Sequence, residues 1–498
     1  MTHKIYAPNI HLFAFHLRNK SSSDSQPDTD YNSELLWHKY DQICAKFQIQ
    51  QKLDLRDVAE GYRIALLKGD TKDNILLPLE GKLSLNNGKG IRITGQACPL
   101  QIYDSYALGL NIRIPERENN QKTEDVDLTI FNDFNPDQCF LPSKINSNIN
   151  SSLGQILLLT AWLPQKQQQD SHVWKEIADQ CVQNFLGEKN QDNCPPLYRE
   201  GQLFDSPIFE YGIPDKSQDY GQIFVWLFLG EDVNGNYGAR ADENFSLFYQ
   251  YFIDLFFYRQ KVIRAYQISR EVYSDAYQGY QEIKQIINET TQSQDNYRSL
   301  SEAELLDFKK KLRILPKLDL NYSDWLRQLE SYSLTMKINA HNYSEKLQQL
   351  QEKLPKDEDL SFLSVFEHKI SPTYQEQIKI SLSYFGHSSA LLDKAISSIR
   401  GIVEIEQAER EKRLQLWITF VGTGLAVSGI SSQSDAKQPL ESILIKLDRK
   451  GSLDCPEAGL YPCLTYTFWF VLFHILIGVG VGAIVAFIVD RIIHRRSK

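Results

Sequence analysis

The chain has 498 residues, of which 42% are apolar and 23% charged, and a formal net charge of -9. That length allows two or three domains with cores of their own. The acidic balance excludes a broad nucleic-acid footprint, so no nucleic-acid partner is expected.

No apolar run of the kind a secretory signal needs follows Met1-Thr2-His3-Lys4, which places the N-terminal part in the cytosol. Asn9–Arg18 alternates as a strand, and Leu35–Phe47 has the pattern of a helix. Lys82–Leu85 and Ile91–Gly95 form a hairpin around Asn87-Gly88. Gln155–Leu163 and Gln222–Leu229 are short apolar runs of the kind found in central strands, with an amphipathic helix over Val173–Leu186 between them. Ser21–Ser33, Pro115–Asp127, Ser143–Ser152 and Gln165–Ser171 are polar and read as surface loops. Cys44, Cys98, Cys139, Cys181 and Cys194 lack metal-ligand or CxxC spacing and read as reduced thiols. Residues 1–240 are therefore expected to form a cytosolic α/β or α+β domain.

Residues 241–413 read as a helical stalk. Phe245–Tyr273 is a strongly aromatic helix whose spacing is that of a packing face, with ligand stacking as the rival reading. Helical patterns continue through Ala276–Asn288, Ser301–Leu312, Tyr322–Leu354 and Thr373–Ile418, punctuated by Pro316, Pro355 and Pro372. In the last of these, Leu392, Ile396, Ile399 and Val403 follow the 4-3-4 spacing of a coiled-coil seam, which turns polar at Glu406, Arg410 and Arg413. No breaker separates Pro372 from Leu414, so one long helix is expected to run into the apolar stretch that follows, as a mechanical transmitter or as a passive stalk.

Residues 464–489 contain no Asp, Glu, Lys or Arg and are long enough to span a bilayer. Tyr461, Tyr466 and Trp469 stand at one end, and a basic tail over 490–498 closes the other. Leu414–Ile430 is shorter and carries Gly422, Gly424 and Gly429, so by itself it reads as a span, a buried helix or an interfacial segment. A cytosolic N-terminal part and a basic C-terminal tail on the same side require an even number of spans, which selects 414–430 as the first and 464–489 as the second. Residues 431–463 then face the extracytoplasmic side, where Cys455 and Cys463 are either a disulfide or two unrelated thiols. The expected fold class is thus an α+β cytosolic domain, a long helical and coiled-coil region, and two transmembrane helices in the lipid bilayer of the cell membrane, both termini cytoplasmic.

The stretch LLDKAISSIRGIVEIEQAEREKRLQLWITFVGTGLAVSGI at Leu391–Ile430, with the second span and HRRSK, resembles the corresponding part of the CorA-type magnesium transporters. The resemblance covers roughly the last fifth of the chain and implies a homo-oligomer, ion transport and a first span that lines the pore. Carried over residue by residue, it makes Thr419 and Thr423 pore-lining candidates, against hydrogen bonding within the membrane helices as the alternative. The family's Gly-Met-Asn signature is absent, Ser428-Gly429-Ile430-Ser431 standing in its place, and the inter-span loop is longer, so magnesium selectivity is not implied. Gly478, Gly482 and Ala486 form a small-residue ladder for close helix packing, and His474 is the titratable residue within the spans.

No P-loop, GxSxG, HExxH or GxGxxG pattern occurs, and no catalytic residue, metal set or cofactor is assigned. His11 and His16 lie five apart on one strand and face opposite sides, which does not make a metal pair. The functional expectation is an oligomeric membrane protein whose cytosolic domain binds a small molecule or protein and controls a membrane unit. The alternatives are a membrane-tethered interaction protein without a pore and a tethered enzyme with a site the sequence does not reveal.

Overall fold

The computed structural model describes residues 3–18, 34–56, 62–68, 76–85, 88–142, 152–187, 194–216, 221–230, 240–294, 300–356, 358–433 and 460–496. Ser21–Ser33, Asn87, most of Ser143–Ser152 and residues 434–459 with Cys455 lie outside this set. The chain divides into two compact units, residues 1–279 with 322–387 and residues 280–321 with 388–498.

The first unit is built on a mixed sheet of ten strands. Its N-terminal part supplies β1 (Lys4–Leu17), α1 (Glu34–Lys46), β2 (Arg63–Ala65), β3 (Leu77–Ser84), β4 (Gly90–Ile102) and β5 (Ser105–Arg113). The polar stretch that reads as a loop after Pro115 holds three two-residue strands, β6 (Arg117–Glu118), β7 (Gln121–Lys122) and β8 (Val126–Asp127), followed by α2 (Ile130–Asp133). Next come β9 (Ser152–Trp162), α3 (Ser171–Leu186), β10 (Leu197–Leu203), β11 (Ser206–Tyr211) and β12 (Gln222–Phe228).

The strand order is β10-β11-β12-β9-β1-β5-β4-β2, with β3 on β4 and β8 on β1; β6 and β7 pair separately. β1 is central and antiparallel to both β5 and β9, while β12 runs parallel to β9. Central strands buried on both faces need apolar residues at nearly every position, and β9 and β12 meet that requirement over QILLLTAW and QIFVWLF. One face carries Ile10, Leu12, Leu110, Leu159 and Val225 against Tyr40, Phe131 and Phe185 of α1, α2 and α3.

The opposite face is covered by α4 (Arg240–Leu247) and the start of α5 (Tyr249–Gln294). Phe13 lies 5.0 Å from Phe256, and Trp226 lies 5.4 Å from Phe245, measured between ring centroids. The aromatic helix read from Phe245 to Tyr273 is thus a packing face, interrupted at Phe248 where α4 ends and α5 begins.

The patterns Ser301–Leu312 and Tyr322–Leu354 are one helix, α6 (Glu302–Gln351), with Pro316 inside it. An interior proline removes one helical donor, and the remaining turns of a long helix held by packing carry the chain past it. α7 (Ser361–Val365) is followed without a break by a π-helical turn (Phe366–Ile370) and by α8 (Ser371–Gln433). The final helix is α9 (Leu460–Arg496).

In the second unit, Leu305, Phe308, Leu315 and Leu318 of α6 and Leu392, Ile399 and Val403 of α8 are buried. Lys311 of α6 bridges to Glu289 of α5 at 2.9 Å. Ser301 and Glu304 form a capping box at the start of α6, the Glu304 N–H donating to Ser301 Oγ and the Ser301 N–H to Glu304 Oε2. The residue before it, Leu300, donates its N–H to Glu406 Oε1 at 3.1 Å and accepts from Arg410 Nη2 at 2.9 Å. The α8 seam, polar end included, is therefore satisfied within the chain.

Candidate membrane hairpin and the buried ionic cluster

Among the described residues one helix is long and apolar enough to cross a membrane, α9 over Val471–Ile488, with a mean hydropathy of 2.6 and 17% of that window buried. A soluble core helix of that composition buries most of its side chains, whereas Phe468, Leu476, Ile484 and Phe487 of α9 are each at least 60% exposed. On α8, the run Leu414, Ile418, Val421 and Leu425 makes an exposed stripe at helical spacing, with Trp417 beside it.

α8 and α9 meet through glycine. A Cβ on Gly482 would stand 2.7 Å from the Phe420 carbonyl oxygen, and one on Gly424 would stand 3.0 Å from that of Gly478. Real Cβ atoms do not come as close to backbone oxygen as 2.7 Å, so the contact requires hydrogen at Gly482, and at Gly424 a side chain would force the backbones slightly apart. Gly478 and Gly482 are buried and Ala486, one turn further on, is half-buried. Thr419 and Thr423 are half-buried, one turn apart, and each lies about 100° around α8 from the neighbouring contact residue, Phe420 or Gly424. His474 is buried with its ring edge-on to Phe473 at 5.8 Å. Cys463 falls on α9, and its side chain is outside the described set.

A second constellation, which sequence reasoning missed, lies in the first unit where β10, β11 and β12 meet α5 and α7. Glu210 is fully buried and receives Arg199 Nε at 3.0 Å and Nη2 at 2.8 Å on one carboxylate oxygen, and Arg259 Nη2 on the other. Arg259 Nε also donates to Gln222 Oε1 at 3.1 Å, and Gln222 Nε2 donates to Glu210 at 3.2 Å. The free arm of Arg199 donates to the Phe362 carbonyl at 2.5 Å, and the guanidinium of Arg259 lies 4.8 Å from the Phe366 ring centroid. Burial pulls Arg199 below its ordinary pKa and pushes the Tyr343 phenol up.

A buried carboxylate shared by two guanidiniums is stable only while every member keeps its partners, so the cluster fixes the α7 segment on the sheet. The void beside it is about 10 Å³, the room of one water molecule, which is too small for a metabolite. Trp226 Nε1 borders this void without a hydrogen-bond partner. The signals for this cluster were charged residues in apolar surroundings, Glu210 in SPIFEY and Arg259 in DLFFYRQKV.

His11, on the α4-facing side of β1, is 3% exposed, and neither ring nitrogen has a hydrogen-bond partner. Its ring packs against Phe245 at 4.9 Å and Tyr249 at 5.8 Å, and burial, assisted by Arg113, holds its pKa down to about 3. Among the described residues no group of three or more His, Cys, Asp or Glu side chains could hold a metal ion. Comparison with protein-family models, curated proteins and solved structures returns no match for this chain.

Proposed function

We propose that the chain is an oligomeric integral membrane protein of CorA-like architecture. In this reading a cytosolic sheet domain, acting on a small-molecule or protein ligand, controls a two-helix unit that conducts ions or perturbs the bilayer. The observation that carries the proposal is the register of the α8–α9 hairpin. With Gly424 against Gly478 and Phe420 against Gly482, Leu414 falls level with Ile488 and Ile430 level with Leu472. The short apolar stretch of α8 therefore runs beside residues 472–488 of α9, almost all of its most apolar window, and the two would cross together.

The same register gathers Arg410, Lys412 and Arg413 of α8 at one end with Arg491, Arg495 and Arg496 of α9. A basic cluster at one end supports a cytoplasmic assignment for that end and for both termini. Thr419 and Thr423, off the face that meets α9, remain the pore-lining candidates.

The second reading is a membrane-tethered interaction protein without a pore. It is favoured by the burial of Leu392, Ile399 and Val403 within the chain itself, since a helix whose seam is already covered does not need a second copy to cover it. Light scattering of the detergent-solubilised protein separates the two. A discrete assembly of four or more chains, with ion flux in liposomes altered by Thr419 and Thr423 substitutions, supports the channel-like reading. A monomer or dimer without flux supports the tether.

A further inference from the structure

The π-helical turn at Phe366–Ile370 is the one irregularity between Ser361 and Gln433 among the helical elements of this stretch. A π turn holds one residue more than an α turn and persists where other groups take up the backbone bonds it disturbs. Here the Ser371 N–H reaches back five residues to the Phe366 carbonyl, and the Phe366 N–H reaches only three, to Leu363. Two side chains from other elements donate into the same stretch, Arg199 Nη1 to the Phe362 carbonyl at 2.5 Å and Tyr343 Oη to the Leu363 carbonyl at 2.9 Å. Ser344 holds Glu367 by a further hydrogen bond.

Downstream, α8 carries a second feature that ordinary amphipathic patterning leaves unexplained. Its buried positions include Ser381, Phe385, Leu392, Ile399, Val403 and Glu406. The residue immediately before most of these is apolar and exposed: Ile380 is 60% exposed, Tyr384 46%, Leu391 52% and Ile405 63%. Moving the helix back by one residue would replace the buried Ser381 by Ile380, Phe385 by Tyr384, Leu392 by Leu391, Val403 by Ile402 and the buried Glu406 by Ile405. Ile399, exchanged for Ser398, loses apolar character, and nearer the turn so do Ile378, exchanged for Gln377, and Tyr374, exchanged for Thr373. From Ile380 onward the helix thus carries two apolar seams, one residue apart, and a turn that holds one extra residue stands upstream of both.

We infer that α8 has two registers, and that the π turn at Phe366–Ile370 stores the residue by which they differ. Release of Phe362 and Leu363 by Arg199 and Tyr343 lets the turn relax to α geometry. The downstream helix then rotates by about 100° and slides by about 1.5 Å, presenting its second seam. The nearest reporter is Tyr374, which stacks on Tyr266 with ring centroids 4.0 Å apart. In the relaxed register Thr373 takes that place.

The test pairs Tyr266→Cys with Tyr374→Cys, or with Thr373→Cys, in the full-length protein in detergent. A short bifunctional thiol reagent is applied, and linked peptides are assigned by mass spectrometry with and without Arg199→Met and Tyr343→Phe. The register switch predicts that the 266–374 product dominates in the parent, and that the 266–373 product takes over when the two donors are removed. A π turn imposed by Pro372 alone predicts no change of product, and that result overturns the inference. Deletions keep the question open to refutation if the substituted protein does not fold. Removing the exposed His368 takes out the stored residue and leaves every downstream contact in phase, so the fold and the 266–374 product are retained. Removing the equally exposed Lys379 shifts the helix below it and loses them. If the His368 deletion is as damaging as the Lys379 deletion, no residue is stored in the turn and the inference fails.

Discussion

Substitution of His11 by phenylalanine is expected to change the pH dependence of stability in a way that can be worked out beforehand. In the unfolded chain the imidazole titrates at about 6.5, whereas burial holds it down to about 3 in the fold. Above 6.5 both states are neutral and the group contributes nothing to the pH dependence. As the pH falls from 6.5 toward 3 the unfolded chain takes up a proton that the folded one refuses, and at pH 5 this costs about 2 kcal/mol. Asp242 acts in the opposite direction. Burial, followed by Glu116, raises its carboxyl to about 6, so between pH 6 and 4 the folded state binds the proton first. The fold regains roughly 1 kcal/mol by pH 5, allowing for partial exposure.

The parent should therefore lose about 1 kcal/mol between pH 7 and 5. His11→Phe should become more stable over that interval, and Asp242→Asn should lose about 2 kcal/mol. The phenylalanine also removes two unpartnered ring nitrogens from an aromatic surrounding, worth about 1–3 kcal/mol at pH 7. Urea unfolding of the full-length protein in detergent, followed by tryptophan fluorescence at several pH values, measures all three. Parallel pH profiles for parent and His11→Phe would refute the reasoning, since they would mean that the buried imidazole is charged or hydrated in the fold.

Glu210→Gln leaves the buried guanidinium of Arg259 and the half-buried one of Arg199 without their carboxylate, and the sheet unit should lose about 3–5 kcal/mol, read in the same assay. Gly482→Leu drives a side chain into the Phe420 carbonyl, so a cysteine cross-link between α8 and α9 formed at these positions in the parent background should weaken, with a stability loss of about 1–3 kcal/mol. Leu392→Ala should loosen the second unit by about 2–5 kcal/mol, seen as faster amide exchange across α6 and α8. Leu391→Ala, on the exposed seam, should stay within about 0.5 kcal/mol of the parent in the register described.

The elements legible in the sequence were those whose residues all face one environment. β1, β9 and β12 are apolar along most of their length because helices cover both faces of the sheet, and α3 shows one clean stripe because it covers one face only. The β10–β11 hairpin was not legible. LYREGQL alternates charges with short apolar residues, as a loop does, and its strand character depends on pairing with SPIFEY. The ionic cluster was hidden for a related reason, since Glu210 and Arg259 meet only after the sheet is assembled and α5 laid across it. Pro316 misled as a stop because local propensity is outweighed in a helix of 50 residues held by tertiary packing, whereas Pro372 stands in the first turn of the 63-residue helix, where proline is tolerated. The glycine ladder at Gly478 and Gly482 was visible, but its partners, Phe420 and Gly424, were not.

Extraction of membranes carrying the full-length protein with alkaline carbonate tests the membrane hairpin most directly. Carbonate strips peripheral proteins and leaves inserted helices in the bilayer. The hairpin reading predicts that the protein stays in the membrane pellet and is released only by detergent. Recovery of folded protein in the carbonate supernatant would contradict it, and would mean that the exposed faces of α8 and α9 are covered by protein rather than by lipid.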